Sequence, residues 1–450
     1  MNPLAIKKRI SRVEGNYLKQ VRDQYEDYPY PYRDPQDEKK RLVNTALDGL
    51  AYLNHHVYGG KKDFKNNFNV LIAGGGTGDS LVYLAEQLRE IPNATVTYLD
   101  LSTASMAIAQ ERAKVRGLTN IDWHHMSLLD VAKIGKKFDY INCSGVLHHL
   151  ESPDAGLKAL AGVLKPDGAI GIMVYAQYGR TAIYQMQDLM RLINEPDTPA
   201  AEKVARTKSV MSQLPPDNLF RQQSNIWQAE IQRNGDIGIY DLLLHSTDRA
   251  YTVPELYEWT AKVGLKVGRF SGLLGYGLVY RPEFVFGRDP EVMALINEKD
   301  LSIQQAIAEL AHSNIARHIF YACRDEVARP SVDETDMVPF FHMQFLHGPE
   351  LAKQVMPDQP LALQTPASGL RITLPYSPYL KDVLHHLDGQ NTFGEILAAV
   401  SKAHPASAKE DIRSVLAHLY DRLEDGDMML CRHKSVPAFE AERNLQLRVA

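Results

Sequence analysis

Short runs of apolar and β-branched residues alternate with longer runs of helical periodicity between residues 68 and 176. This alternation is typical of β-α-β units, in which crossover helices join parallel strands. We therefore predict an α/β fold built on a parallel sheet. The predicted strands are 68–74, 94–100, 121–126, 138–144 and 169–176, and the helices between them are 77–90, 102–117 and 154–168.

After Tyr178 the strand rhythm stops, and polar sequence with helical periodicity predicts an insertion at 181–241. A helix at 254–264 and strands at 265–270 and 277–286 are expected to complete the sheet. The insertion would then overhang the carboxyl ends of the strands.

The regions on either side of this core have patterns of their own. Residues 1–64 predict a helix to about Gln24 and then an arm rich in Tyr and Pro at 25–32, which should be extended because Pro disfavours helix. We expect this arm either to cover the site of the α/β domain or to pack on its core. Residues 291–335 have the pattern of a helical connector, and 336–450 that of a smaller α+β, winged-helix-like domain of three helices and a strand.

Composition excludes several classes of protein. The 450 residues are 44% hydrophobic and 23% charged, which is typical of a globular chain, and a net charge of -5 argues against nucleic acid or an anionic membrane as partner. No apolar run approaches the roughly 20 residues that a membrane span requires. Three distant cysteines without a CxxC motif predict a reduced, cytoplasmic setting and no metal site.

The strongest chemical signal is VLIAGGGTG at 70–78, a buried strand that leads through a glycine-rich turn into a helix. Glycines permit positive φ and let a ligand approach the backbone. Asp100 ends the next strand, where a carboxylate can accept hydrogen bonds from both hydroxyls of a ribose. Asp79, in the first helical turn, would repel a phosphate but not an ammonium, so the loop favours S-adenosylmethionine over a dinucleotide.

With TYLDLS at 97–102, FDYINCSGVLHHLESP at 138–153 and LKPDGAIGIMVY at 164–175, residues 65–290 resemble a class I, seven-strand S-adenosylmethionine-dependent methyltransferase. The resemblance implies a doubly wound, Rossmann-like domain with S-adenosyl-L-methionine as its cofactor. It also implies that the cofactor is bound by residues of the strand ends and the turns that follow them: Gly74, Gly76, Thr77, Gly78, Asp79, Asp100, Leu101, Ser127, Leu128 and Ser144.

The chain departs from that family at two places. Relatives usually have Gly-Asp after the third strand, where this chain has Met126-Ser127, and an acidic residue before the glycine loop, where it has Ile72-Ala73. Ser127 can still form a hydrogen bond to the adenine but carries no charge. The ammonium of the methionyl group must then be held by Asp79, backbone carbonyls or Ser144.

The resemblance implies attack of a nucleophilic N or O on the activated methyl group, for which alignment of the acceptor can suffice. If a base is used, the candidates are His149, His245 and Tyr251. The C-terminal residues 371–432 contain seven Lys/Arg and nine Asp/Glu, a balance that favours protein contact over DNA. A protein or peptide acceptor is therefore expected; the alternatives are a small-molecule methyltransferase and a non-catalytic S-adenosylmethionine-binding scaffold or sensor. The oligomeric state stays open.

Overall fold

The computed structural model describes residues 26, 29–65, 67–245, 248–271, 276–342, 346–364 and 369–439. Its core is one sheet whose strands follow the predicted rhythm. The sheet contains β1 (Asn69–Ala73), β2 (Thr95–Asp100), β3 (Ile121–His125), β4 (Phe138–Ser144), β5 (Leu164–Ala176), β6 (Ala250–Tyr251), β7 (Lys266–Phe270) and β8 (Arg317–Cys323).

The strand order is β3-β2-β1-β4-β5-β8-β7, and the short β6 pairs with β5. The first five strands are parallel, whereas β8 runs antiparallel to both of its neighbours. Successive residues of β1 enter different hydrophobic clusters, Leu71 on one face and Val70 and Ile72 on the other. Burial of both faces is characteristic of a doubly wound α/β sheet and explains the continuous apolar runs of the strands.

The helices of the sheet domain include α1 (Leu50–Tyr58), α2 (Asp79–Gln87), α3 (Thr103–Val115), α4 (Pro153–Val163) and α9 (Val253–Ala261). The predicted insertion is helical and contains α5 (Thr181–Ile193), α6 (Ala200–Gln213), α7 (Leu219–Gln222) and α8 (Ser224–Leu243). Among the described residues, no helix combines the length and the apolar character needed to cross a membrane.

Two predictions about the end of the sheet were wrong. Residues 277–286 do not form a strand: Tyr276–Tyr280 is a 3-10 helix and α10 (Glu283–Phe286) follows Pro282, which cannot donate to a strand ladder. The strand β8, which joins β5 to β7, lies inside the segment predicted as a helical connector. That segment contains α11 (Pro290–Asn297) and α12 (Leu301–His312), but helix ends at His312, and the sheet extends beyond residue 290.

The C-terminal region contains β9 (Met337–Phe341), α13 (Gly348–Ala352), β10 (Leu361–Gln364), β11 (Arg371–Leu374), α14 (Leu380–His386), α15 (Phe393–Ala403), α16 (Lys409–Asp425) and β12 (Met429–His433). The three helices α14 to α16 and the strand β12 occur as expected. The hairpin β10–β11 precedes the helices, and β12 pairs with β9 rather than with a following strand. The winged-helix interpretation stays a prediction.

A buried ion-pair network fastens this region to the sheet domain. Glu424 accepts hydrogen bonds from His55 Nε2 (3.0 Å) and Arg269 Nη1 (2.8 Å), and Arg329 Nη2 lies 2.5 Å from its other oxygen. His55, His56 and Glu424 bring three possible metal-ligand atoms within 4.8 Å of one another. Because two guanidinium groups already neutralise Glu424, we interpret the group as a structural ion-pair network.

Candidate functional site

A cavity of about 390 Å³ crosses the carboxyl ends of the parallel strands. Its wall follows the order of the sheet: Ser127 comes after β3, Asp100 ends β2, Gly74 follows β1 and Ser144 ends β4. The strand order changes direction at β1, and α/β proteins bind ligands in the crevice at such a switch point. The volume is in the range of about 300–1,000 Å³ that small-molecule sites occupy.

The glycine loop is held against the end of β2. Gly74 and Gly75 donate their amides to the Leu99 carbonyl at 2.8 and 3.1 Å, and the Gly76 amide donates to Asp100 Oδ2 at 2.8 Å. Gly76 has a φ of +51°, and a Cβ there would lie 2.9 Å from the carbonyl oxygen of Tyr30. Only glycine fits between the loop and the chain that crosses it.

That crossing chain is the Tyr- and Pro-rich arm. Tyr30 and Pro31 line the cavity, and Thr77 Oγ1 donates to the Pro31 carbonyl at 2.7 Å. Arg33 binds Asp79 through both Nε (2.8 Å) and Nη2 (2.5 Å). The described part of the arm therefore covers the site; Tyr25 and Tyr28 lie outside the described residues.

Asp100 is fixed by backbone donors. In addition to Gly76, the Ser102 amide donates to its Oδ1 at 2.8 Å. Burial raises the pKa of the Asp100 carboxyl, although these amides oppose that shift. An ionised carboxylate can accept further hydrogen bonds on its remaining lone pairs, and Asp100 presents them to the cavity.

Asp79 does not offer the free negative charge that the sequence led us to expect. It pairs with Arg33 and with Arg112, whose Nη1 lies 2.7 Å from Oδ1. Burial alone would raise the pKa of Asp79, but hydrogen bonds and charge from the two arginines outweigh it and hold the pKa below its ordinary value. The expected contact of Asp79 with an ammonium is therefore a poor fit.

A different carboxylate occupies the cavity wall without a cation. Asp48 is fully buried, and its Oδ1 accepts from Asn142 Nδ2 (2.7 Å) and Tyr140 Oη (3.1 Å), while Thr45 Oγ1 donates to Oδ2 at 2.5 Å. Within the described ranges no Lys, Arg or His pairs with Asp48. Burial raises the pKa of this carboxyl despite its four hydroxyl and amide neighbours. A cationic ligand group would complete this site.

The remaining predicted cofactor residues divide into two groups. Leu101, Ser127, Leu128 and Ser144 line the cavity together with Gly74 and Gly76. Thr77 and Gly78 do not line it: Thr77 is turned to the arm, and Gly78 (φ +97°) begins α2 close to Ala109. These two residues shape the loop rather than the cavity wall.

Of the three candidate bases, only His149 lines the cavity. His245 stacks on it from outside, with ring centroids 3.8 Å apart. Tyr251 is completely buried in the core, where it stacks on Trp259 at 4.8 Å. Burial at β6 removes Tyr251 from any contact with a ligand in this cavity, so the structure argues against it as a base.

Sequence reasoning missed part of the wall. Residues 45–48 precede the predicted domain boundary, and Arg317 and Ile319 belong to the unpredicted β8. Nothing in the local pattern around Asp48 distinguishes it from a surface aspartate. Of the missed residues, those of β8 did have a local signal, because the alternating, aromatic-rich sequence of 317–323 is typical of a strand.

Comparison with known proteins agrees with the geometry. Residues 71–170 match a family described as a methyltransferase domain, Methyltransf_12. The chain is similar to the uncharacterized protein syc1184_c of Synechococcus sp., with 33% identity over 322 residues that cover 71% of this chain and 74% of that protein. It is also 29% identical over 155 residues to the ubiquinone biosynthesis O-methyltransferase of Actinobacillus pleuropneumoniae, which covers 33% of this chain and 61% of that enzyme.

Among solved structures, PKMT2 from Rickettsia typhi in complex with AdoHcy superposes with a TM-score of 0.62 at 16% sequence identity. The match covers 87% of this chain and 76% of PKMT2, so it extends over the insertion or the C-terminal region as well as the sheet domain. The family match, the relatives and the solved structure agree with one another on the fold, the cofactor and the enzyme class. The chain belongs to the family of syc1184_c and is a class I methyltransferase that uses S-adenosyl-L-methionine.

Proposed function

We propose that this methyltransferase transfers the methyl group of S-adenosylmethionine to a nucleophilic N or O of a protein or peptide. The proposal rests on the share of the chain that each comparison covers. The ubiquinone O-methyltransferase matches only a third of the chain, whereas syc1184_c and PKMT2 match 71% and 87% of it. The similarity to these two proteins therefore extends beyond the core, and because methyltransferases of different substrates share the core, we assign recognition of the acceptor to the regions outside it.

The cavity fits the cofactor through the chain's own charges and backbone. Asp100 would accept hydrogen bonds from the ribose hydroxyls, Leu101, Ser127 and Leu128 would surround the adenine, and Gly74, Gly76 and Ser144 would lie along the methionyl group. Asp48 would pair with the ammonium, which replaces the role expected of Asp79. S-adenosylmethionine supplies an activated methyl group on a sulfonium, so the residues mainly align the acceptor and exclude water.

Asp100→Ala tests the ribose contact. Loss of hydrogen bonds to a carboxylate should weaken binding of S-adenosylhomocysteine by about 1.5–3 kcal/mol, roughly ten- to a hundredfold in Kd. Calorimetry measures the change, and Asp122→Ala on the exposed edge of β3 is the control, which should bind like wild type. An unchanged Kd in Asp100→Ala would place the ribose elsewhere.

The acceptor class is tested by incubating the full chain with methyl-labelled S-adenosylmethionine and a dialysed bacterial lysate. Mass spectrometry and gel autoradiography should find the label in protein. Label that appears only in small molecules, after metabolites are restored to the lysate, would favour the small-molecule alternative. Calorimetric cofactor binding without transfer to any fraction would point to the sensor alternative.

A further inference from the structure

We propose that the acceptor carries a carboxylate and that Arg317 binds it, on the part of the cavity wall beyond the methyl group of the cofactor. The inference rests on the proposed function and names a chemical group of the acceptor that the function leaves open. On a protein or peptide this group is an acidic side chain or the chain terminus. The subsite concerns β5 and β8, which contribute no residue to the proposed cofactor contacts.

The register of the sheet places this part of the wall relative to the cofactor. Ser144 at the end of β4 pairs with Met173 of β5, and Met173 pairs with Ile319 of β8. Adjacent strands are about 4.8 Å apart, so Ile319 lies two strand spacings, about 10 Å, from Ser144. Because the proposed cofactor contacts end at β4, Met173 and Ile319 lie on the side of the acceptor.

Arg317 lies at the mouth of this apolar surface. It is on the same face of β8 as Ile319, and because β8 runs antiparallel to β5, it is two residues closer to the carboxyl edge of the sheet. Both residues line the cavity. Pairing with Tyr175 fixes the main chain of Arg317, and Tyr276 Oη donates to its carbonyl at 3.3 Å. The wall therefore offers a short apolar surface that ends in a guanidinium group.

The charge of Arg317 has no partner among the described residues. Its guanidinium makes no hydrogen bond to them, and none of their carboxylates forms an ion pair with it. Of the described residues that line the cavity, Arg317 is the only Lys or Arg. Its side chain is exposed, so water solvates the charge in the free enzyme. An acceptor that displaces this water must supply an anion in its place.

The carboxylates that line the cavity have other roles. Asp79 pairs with Arg33 and Arg112, and Asp100 accepts hydrogen bonds from backbone amides. Asp48 is the group that we assign to the ammonium of the cofactor. No Asp or Glu lies among the residues that β5 and β8 contribute to the wall. An anionic group of the acceptor therefore meets a cation there without an opposing charge on these strands.

Two further carboxylates act on the arm without forming part of the wall. Glu230 and Asp241 act electrostatically on Tyr30, but neither lines the cavity. Arg33 is a charge partner of Glu230. Neither carboxylate pairs with Arg317, so both leave its charge available to a ligand.

The chemistry of this surface favours a carboxylate over a phosphate group. A planar guanidinium binds a carboxylate through two parallel hydrogen bonds. One guanidinium balances the single charge of a carboxylate, whereas a phosphate monoester carries about 1.5 to 2 charges at pH 7. The neighbouring Met173 and Ile319 can pack against the methylene groups next to the carboxylate.

Hexanoate is a suitable probe, because it joins a carboxylate to a short apolar chain. Calorimetry of the full chain saturated with S-adenosylhomocysteine should detect binding of hexanoate but not of hexylamine. Arg317→Gln should weaken hexanoate binding roughly ten- to a hundredfold, the loss expected for a charge-assisted contact. Arg317→Lys keeps the charge without the two parallel hydrogen bonds and should fall between the two proteins. Arg288→Gln, at an exposed position outside the cavity wall, should bind hexanoate like wild type.

Transfer of label from methyl-labelled S-adenosylmethionine to lysate protein gives a second readout. Arg317→Gln should lower this transfer at least roughly tenfold while the Kd for S-adenosylhomocysteine stays that of wild type. Hexanoate should inhibit transfer by the wild-type enzyme, whereas hexylamine should not.

Three results would overturn the carboxylate subsite. They are wild-type protein that fails to bind hexanoate or binds hexylamine as tightly, an Arg317→Gln variant with unchanged affinity for hexanoate, and an Arg317→Gln variant with weakened binding of S-adenosylhomocysteine. The last result would assign Arg317 to the carboxylate of the cofactor itself. Absence of any label in protein would remove the proposed protein methyltransferase, whereas hexanoate binding is measured without an acceptor and decides the subsite separately.

Discussion

Asp48→Asn is expected to weaken binding of S-adenosylmethionine by about 2–5 kcal/mol, at least roughly thirtyfold in Kd. Asp48 is a buried carboxylate on the cavity wall whose described neighbours are hydroxyl and amide groups rather than cations. We propose that the ammonium of the cofactor forms an ion pair with the Asp48 carboxylate. An asparagine would leave that ammonium unpaired in a buried site. Calorimetry with wild type and variant measures the loss.

The effect should carry a pH signature. Burial raises the pKa of Asp48 in the free enzyme, and an ammonium binds the ionised carboxylate. Below that raised pKa the carboxyl is protonated, so binding must expel a proton, and cofactor affinity should fall as the pH is lowered through it. Asp48→Asn should abolish this dependence.

A matched control separates charge from folding. Asp130→Asn, on the 3-10 helix Leu128–Ile134 outside the cavity, should bind the cofactor like wild type. Thermal unfolding of Asp48→Asn checks that the protein is intact, because asparagine can retain several of the hydrogen bonds. Wild-type affinity in a folded Asp48→Asn protein would show that the ammonium is held by another group.

Glu38→Gln is expected to lower the free energy of unfolding by about 3–5 kcal/mol, the cost of breaking a buried ion pair. Glu38 Oε1 accepts from Arg112 Nε (2.9 Å) and Nη2 (2.7 Å), and Oε2 accepts from Arg116 Nε (2.5 Å). All three side chains are buried. A neutral amide would leave two guanidinium groups in the interior with Glu86 and Asp79 as their remaining acidic partners.

The same change should affect the cofactor site. Glu38 anchors the 3-10 helix Pro35–Lys39 to α3, and the arm that precedes this helix places Tyr30 and Pro31 over the glycine loop. Urea unfolding followed by circular dichroism measures the stability, and calorimetry measures the loss of cofactor affinity. The neighbouring Asp37→Asn, which removes an exposed pair with Lys40, should change neither quantity measurably. Equal stability of Glu38→Gln and wild type would contradict the assigned burial of this ion pair.

The C-terminal region makes buried contacts with the sheet domain that a boundary predicted from the sequence does not indicate. Its helices are recognisable from their periodicity, and a capping box of Thr392 and Glu395 begins α15. Yet Glu424 and Cys431 make buried contacts with His55 of α1, and Arg269 of β7 binds Glu424. Truncation before residue 336 would remove the ion-pair and hydrogen-bond partners of buried charged groups. Acceptor recognition is therefore better tested with point variants of the intact chain.

The sequence by itself determined the local elements of the core and the glycine-rich loop that lines the cavity. Strands β1 to β4 lie within two residues of their predicted bounds, because short β-branched and aromatic runs between segments of helical periodicity are a local signal. The places of Gly74, Gly76 and Asp100 on the cavity wall were likewise predictable, since a glycine-rich turn after one strand and an acid at the end of the next are recognisable at short spacing.

The tertiary structure decided which buried carboxylates are paired with a cation and which are not. Asp79 and Asp48 are both aspartates before or within a helix, but the arm brings Arg33 to Asp79, whereas Asp48 is enclosed by Tyr140 and Asn142 of β4. Likewise β8 enters the sheet between β5 and β7 from a segment that follows two helices. Charge compensation and strand pairing depend on residues far apart in the chain, and a local pattern contains no information about which of them will meet.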